Sequence, residues 1–216
     1  MEQNLQTIKA WLGTGSINIF GLPFAGKDTV GLKLAEDIGA KFLSSGLILR
    51  SMEAVDKELV HDLGAGRLAS TGKFKEIILP YLTREDLRSF ALILSSVGRS
   101  IGEEQDVMEA LVAGGHPLKV VILINISEAM ASMRWQAARV IKDRGEREDD
   151  REKQVLLTRQ QEFTAKTMPV IQAYQGRGML VQVSGRGTRE EVYQRVLAAI
   201  VDFINQQNQV QENVNV

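Results

Sequence analysis

The sequence predicts an α/β fold: a three-layer sandwich in which a five-stranded parallel sheet carries helices on both faces. Three observations lead there. Short apolar runs of strand length alternate with segments whose apolar residues recur at helical spacing. A glycine-rich turn joins the first such run to the first such helix. The fourth run, Val120, Val121, Ile122, Leu123, Ile124 and Ile126, has no polar face, which suits a strand covered on both sides.

Each element follows in turn. Leu5, Ile8, Ala10 and Trp11 predict a leading helix, and Ile17, Ile19 and Phe20 the first strand. Val30, Leu34, Ala35 and Ile38 give the helix behind the glycine turn, and a second short strand is expected over 41–44. Residues 46–90 read as helices alone, broken by Gly64, Gly66 and Gly72. A third strand over 90–94 precedes a helix over 103–113, and Gly114-Gly115-His116-Pro117 leads into the fourth strand. Two long helices, 128–143 and 150–175, lead to a fifth strand over 179–183. The last helix carries Val192, Val196, Ala199, Ile200 and Phe203, and the Gln/Asn-rich tail from Asn205 is expected to fray. Ligands of such sheets sit at the carboxyl ends of the strands, where residues 21–29, 44–50, 95–99 and 127 onward fall.

Composition bounds the function. With 216 residues, 44% hydrophobic and 25% charged, the chain suits a single globular domain. A formal charge of -1 gives no reason to expect a nucleic-acid partner, and no run approaches the length of a membrane helix. The N-terminus lacks a basic start followed by an apolar core, so a cytoplasmic protein is expected, and separately a monomer. Without cysteine the chain has no disulfide, thiolate metal site or thiol nucleophile.

Chemistry concentrates in Gly21-Leu22-Pro23-Phe24-Ala25-Gly26-Lys27-Asp28-Thr29. This Gly-x4-Gly-Lys pattern sits between strand and helix, where amides at a helix N-terminus point at an anion and the dipole favours negative charge. The glycines let the backbone approach phosphate oxygens, and Lys27 adds a mobile cation. Thr29 brings a hydroxyl for Mg²⁺ one place later than usual, with Asp28 in its stead. Arg50, Arg99, Arg134 and Arg139 follow strands two, three and four. Converging guanidinium groups suit phosphoryl transfer, which needs positioning and charge neutralisation. His61 and His116 lie far apart and read as structural or surface residues, and Trp135 as core.

From residue 16 to about 203 the chain resembles the adenylate kinase family of nucleoside monophosphate kinases, with its P-loop NTPase-like fold. The resemblance rests on the phosphate loop, on Leu43-Ser44-Ser45-Gly46-Leu47-Ile48-Leu49-Arg50, on Gly66-Arg67-Leu68-Ala69, and on Arg147-Glu148-Asp149-Asp150 followed by Arg159 and Thr167-Met168-Pro169-Val170-Ile171. It implies transfer of the γ-phosphoryl group of ATP, with Mg²⁺, to a nucleoside monophosphate, AMP being favoured through Ser45. It further implies that Gly21, Ala25, Gly26, Lys27, Asp28 and Thr29 hold the donor phosphates, with Asp28 and Thr29 toward the metal. Arg134 would pack on the donor base and Gly187 would offer it a carbonyl. Ser45, Gly46, Arg50, Arg67, Ala69, Gly98, Arg99 and Gln105 would hold the acceptor. The catalytic set would be Lys27, Arg99, Arg134, Arg147 and Arg159. Residues 45–85 would form a helical monophosphate-binding subdomain and 140–150 a short lid loop, with a flexible tail at 205–216.

Two departures stand out. Where the family's third strand ends in Asp-Gly-Phe-Pro-Arg, this chain reads Ser95-Ser96-Val97-Gly98-Arg99, keeping the arginine without the acid. Asp28 either restores that carboxylate from the phosphate loop or repels phosphate. The family's base-reading glutamine is also displaced, with Glu103, Glu104 and Gln105 as candidates and Arg144 as an alternative to Arg147. A catalytically weakened nucleotide sensor, and a phosphate-loop kinase for a non-nucleotide small molecule, stay open at this level.

Overall fold

Strand β1 (Ser16–Gly21) is buried along its whole length, and a strand covered on both faces belongs in the middle of a sheet. In the computed structural model, which describes residues 1–51, 57–141 and 152–214, it pairs with β3 (Leu92–Ser95) on one side and β4 (Leu118–Asn125) on the other. Strand β2 (Lys41–Ser44) adds outside β3 and β5 (Leu180–Ser184) outside β4. All pairings are parallel, in the order β2-β3-β1-β4-β5. The α/β class and the five-stranded parallel sheet expected from the alternation are both present.

Alternation along each strand divides the apolar side chains between two layers. Ile17, Ile19, Ile93, Val120, Ile122 and Ile124 meet Ile8 and Leu12 of α1 (Glu2–Leu12), Val30 and Leu34 of α2 (Lys27–Ile38), and Val196 and Ile200 of α10 (Arg189–Val214). On the opposite face Leu92 and Leu94 pack with Val107 and Leu111 of α6 (Glu103–Gly114). Phe20, Val121 and Leu123 pack with Val170, Ile171 and Tyr174 of α9 (Met168–Gly176). Side chains buried this way resist truncation to Ala by about 2–5 kcal/mol each.

Residues after β2 form α3 (Ser45–Ser51), α4 (Lys57–Gly64) and α5 (Thr71–Leu82), as the sequence predicts. Their buried Ile48, Leu49, Leu59, Leu63, Phe74 and Ile78 join the same cluster as Leu92 and Leu94, so this helical unit leans on the sheet. Beyond β4, α7 (Glu128–Ile141) and α8 (Lys153–Glu162) flank the sheet's carboxyl edge. The single long helix expected over 150–175 is interrupted by a wide π turn at Phe163–Thr167. Pro169 explains it, because proline has no N–H to give and its ring crowds the carbonyl four residues earlier, at Ala165. The tail also differs from expectation: α10 runs on through Val214, past the Asn205 where fraying was predicted. Glutamine is a good helix former, and a helix anchored by Val196, Ile200 and Ile204 propagates outward from its buried part. Among the described residues, no helix is long and apolar enough to cross a membrane.

Candidate active site

The turn from β1 into α2 is held open by its backbone. Gly26 starts α2 at φ 93°, and Phe24 sits at φ 64°, a region that side-chain-bearing residues rarely enter. Phe24 is kept there by packing against Trp135 and Leu156, and strain of this kind collects at ligand clamps. Gly21 has no room for a side chain, since a Cβ would lie 2.8 Å from the Ile124 carbonyl oxygen and 2.9 Å from the Ala25 Cβ. The loop thus folds tightly and leaves the first amides of α2 without intrahelical partners, ready for an anion.

Two clefts open on either side of this loop. Into the first project five cations, Lys27, Arg50, Arg67, Arg99 and Arg159, against two carboxylates, Asp28 and Glu162. Since the chain as a whole carries -1, this positive charge is a local concentration. Arg99 is the most constrained member. Burial pushes its pKa down, Glu103 opposes that, Arg50 pushes it down further, and Asp28 and Glu162 push it up. A guanidinium keeps its proton under such stress, so an anion held near Arg50 and Arg99 would relieve their mutual repulsion.

Local structure sets each of these groups. Gly46 lets the Arg50 guanidinium fold back over α3, because a Cβ there would sit 3.0 Å from Arg50 Nη2. Arg99 leaves β3 on a turn with Ser96 at φ 52° and Gly98 at φ 75°. Asn18, fully buried in β1, pins that turn: its Nδ2 donates to the Val97 carbonyl at 2.7 Å and its Oδ1 accepts from Val97 N at 3.3 Å. Ser45 Oγ donates to the Ser96 carbonyl at 2.7 Å. Ser95 Oγ donates to Asp28 Oδ1 at 2.5 Å, joining the end of β3 to the phosphate loop. A small hollow continues from this cleft, lined by Ser45, Leu49, Leu68, Ala69, Phe74, Arg99 and Glu103.

The second cleft is more apolar. Ala25, Gly26, Thr29, Arg134, Ala137, Ala138, Gly187, Thr188 and Val192 are among its walls. Arg134 Nη1 donates to the Phe24 and Ala25 carbonyls at 3.3 Å each, and Nη2 to the Gly185 carbonyl at 2.6 Å. It therefore ties the phosphate loop to the loop after β5, and its own burial pushes its pKa down. One glycine-rich loop thus stands between a cationic cleft and a more apolar one.

No protein-family model matches the chain. Curated proteins do. The adenylate kinase of Thermus thermophilus is 32% identical over 197 residues, covering 88% of this chain and 99% of its own length. That of Mycobacterium bovis is 30% identical over 186 residues, with 84% and 97% covered, and that of Kocuria rhizophila 29% identical over 188, with 84% and 96% covered. The chain belongs to the adenylate kinase family. It is accordingly a phosphotransferase.

In this family member the residues expected from sequence divide between the clefts. Gly21, Lys27, Asp28, Ser45, Gly46, Arg50, Arg67, Arg99 and Arg159 line the cationic one, and Ala25, Gly26, Thr29, Arg134 and Gly187 the other. Ala69 lines the hollow, whereas Gly98 shapes the turn before Arg99. Arg134, expected among the catalytic arginines, stands across the loop from Arg99 and Arg159 with N–H groups spent on carbonyls. Gln105 is exposed, donates to Glu109 at 2.7 Å and faces Arg177; the side chain from that stretch that reaches the hollow is Glu103. Arg139 lies over the Trp135 ring, 4.9 Å from its centre. Arg147, Arg144, Asp149 and Asp150 lie outside the described residues. Sequence reasoning missed Asn18 and Glu162, and gave no role to Thr167, which lines the cationic cleft and whose buried Oγ1 has no hydrogen-bond partner among the described residues. Asn18 carried a signal, a polar residue inside an apolar strand.

Proposed function

We propose that the chain transfers the γ-phosphoryl group of ATP to AMP, with the donor nucleoside in the apolar cleft and the acceptor in the cationic one. The observation that carries this reading is the placement of one phosphate loop between two clefts, with Lys27, Arg50, Arg99 and Arg159 converging on one side. An acceptor phosphate oxygen forms the new bond to the γ-phosphorus as the bond to the β-phosphate oxygen breaks, leaving two diphosphates. The protein's share is alignment and charge stabilisation. Arg50 and Arg99 hold the acceptor phosphate, Lys27 and the amides of α2 hold the donor's, and Arg159 lies over the transferring group. Arg134 and Gly187 shape the donor-base side. Residues 45–85 serve as the acceptor subdomain.

Mg²⁺ prefers hard oxygen ligands and keeps several waters, bridging to the protein through one or two side chains. Asp28, hydrogen-bonded to Ser95, and the Thr29 hydroxyl, adjacent on the loop between the clefts, would hold the ion, which would neutralise charge on the phosphates. A coupled assay across AMP, CMP, UMP, GMP and their deoxy forms tests the reading. Diphosphate formation from AMP is expected, falling about a hundredfold or more in Lys27→Ala and Arg99→Ala. ATP binding without turnover of any monophosphate would overturn it.

A further inference from the structure

We propose that Phe24 is a positioning residue for phosphoryl transfer: its ring wedges between α7 and α8 and holds the glycine-rich loop in register with Arg134 and Arg159. This deepens the reading of that loop as the donor's phosphate cradle and rests on it. Among the described residues, Phe24 alone lines both clefts. It is only 6% exposed, and packs with Trp135, Leu156 and the partly buried Ala138 in a small apolar cluster separate from those on the sheet.

The backbone shows why the ring matters. Position 24 has φ 64°, a conformation that glycine enters freely and phenylalanine only under strain. For the turn alone, glycine would serve better. The ring offsets that strain by reaching two helices at once, since Trp135 and Ala138 belong to α7 and Leu156 to α8.

Each helix carries an arginine beside this contact. Arg134 directly precedes Trp135, and its Nη1 donates to the Phe24 and Ala25 carbonyls at 3.3 Å each, so the loop is held to α7 through main chain and ring alike. Arg159 follows Leu156 by three residues, which makes the two neighbours on the α8 surface. A wedge that spaces α7 from α8 therefore sets where Arg159 stands relative to Lys27 and the loop amides. Phosphoryl transfer is almost wholly alignment, and misplacing a group by about 1 Å costs about a hundredfold. Binding of the substrates is less exacting, so the loss of the wedge belongs in kcat.

The test compares Phe24→Gly, Phe24→Leu and a core control under α1, Ile8→Ala, in AMP phosphorylation by the full chain with ATP and in Trp135 emission. Trp11→Phe leaves Trp135 as the one tryptophan for the emission arm. Phe24→Gly is expected to lower kcat about tenfold or more, with KM for either nucleotide within about threefold of wild type. Phe24→Leu keeps the strained backbone but refills the slot, and should return kcat to within about threefold. Ile8→Ala should lower Tm and leave kcat within about threefold of wild type. Leu156→Ala opens the slot from α8 and should repeat the fall in kcat whether or not Phe24→Gly folds. Inorganic tripolyphosphate, which fills the loop without a base to touch α7, should change Trp135 emission, a response lost in Phe24→Gly and kept in Phe24→Leu and Ile8→Ala. A kcat in Phe24→Gly at or above wild type, an undiminished kcat in Leu156→Ala, or an emission response that survives in Phe24→Gly, would show that the ring only fills space. If tripolyphosphate binds but no nucleotide is turned over, the kinase reading fails by itself, and the emission response still decides whether Phe24 links the loop to α7. No calorimetric binding of tripolyphosphate would overturn the loop reading and this inference with it.

Discussion

Asp28 and Ser95 share a short O–H···O contact of 2.5 Å, the distance of a charge-assisted hydrogen bond. One carboxylate therefore stands at the meeting of the phosphate loop and β3, attached to the loop instead of to the strand. If position matters more than attachment, the acid can be moved across the contact. Asp28→Gly is expected to lower kcat/KM about a hundredfold in an Mg²⁺ titration, and the double variant Asp28→Gly/Ser95→Asp to recover to within about tenfold of wild type. Ser95→Asp alone sets two carboxylates against each other, so their joint titration rises and activity at neutral pH falls. A gain of activity in Asp28→Gly would sink the idea and mark Asp28 as repelling phosphate. That the glycine-rich loop, Arg50 and Arg99 come together at one cleft could be read from sequence because their spacing is tied to strand and helix ends, whereas Arg139, on the same argument, lies over Trp135 instead. Glu103 could not be separated from Gln105, because residues two apart on a helix point about 200° apart and the spacing alone does not say which way the helix is turned. Which one enters the cleft is decided by the helix starting at Gly102, with φ 93°.

At the scale of elements, the loop after β5 is held by the helix that follows it. Thr188 N donates to Glu191 Oε2 at 2.7 Å and Glu191 N donates to Thr188 Oγ1 at 3.2 Å, a reciprocal capping pair that opens α10. Arg134 holds the Gly185 carbonyl from one side, and Arg195 donates to the Ser184 and Arg186 carbonyls from the other. Gly187 at φ 99° fits between, since a Cβ there would lie 2.4 Å from Glu191 Oε2. The bonds from Thr188, backbone first and hydroxyl second, lower the Glu191 pKa. A carboxyl that binds its proton less tightly folded than unfolded stabilises above the ordinary glutamate value of about 4.3, and that contribution disappears as pH falls through the lower folded value. Glu191→Ala should thus reduce Tm at neutral pH, with the gap to wild type closing at more acid pH than the ordinary glutamate value. A gap that stays constant across that range would show that the cap does not act through the carboxylate. Elements such as this helix were legible because their apolar residues keep a 3.6 period over several turns. The π turn was not, since Pro169 signals a break without saying how the chain absorbs it, and neither was the length of α10, which polar residues continue.

At the scale of the molecule, the two clefts share one loop but little else. Arg99 and Arg159 line one, Arg134 and Gly187 the other, and Lys27 and Thr29 stand on opposite sides of the divide. A ligand confined to one cleft should therefore be insensitive to a change in the other, whereas a ligand spanning both, two nucleosides bridged by a polyphosphate, should respond to each. Binding at a hundred times Kd stabilises by about 2.7 kcal/mol, which for a chain of this length raises Tm by roughly 5–10 °C. AMP alone is expected to lose its shift in Arg99→Ala and keep it in Arg134→Ala, and ATP alone to show the reverse. The bridged ligand gains from each half being tethered to the other, so its shift in the wild type should exceed that of either nucleotide at equal concentration. Both variants should reduce that shift without abolishing it, because one cleft stays intact in each. A bridged ligand affected by only one of the two substitutions would mean that a single cleft binds nucleotide, and the transfer reaction would then have no place for its second substrate.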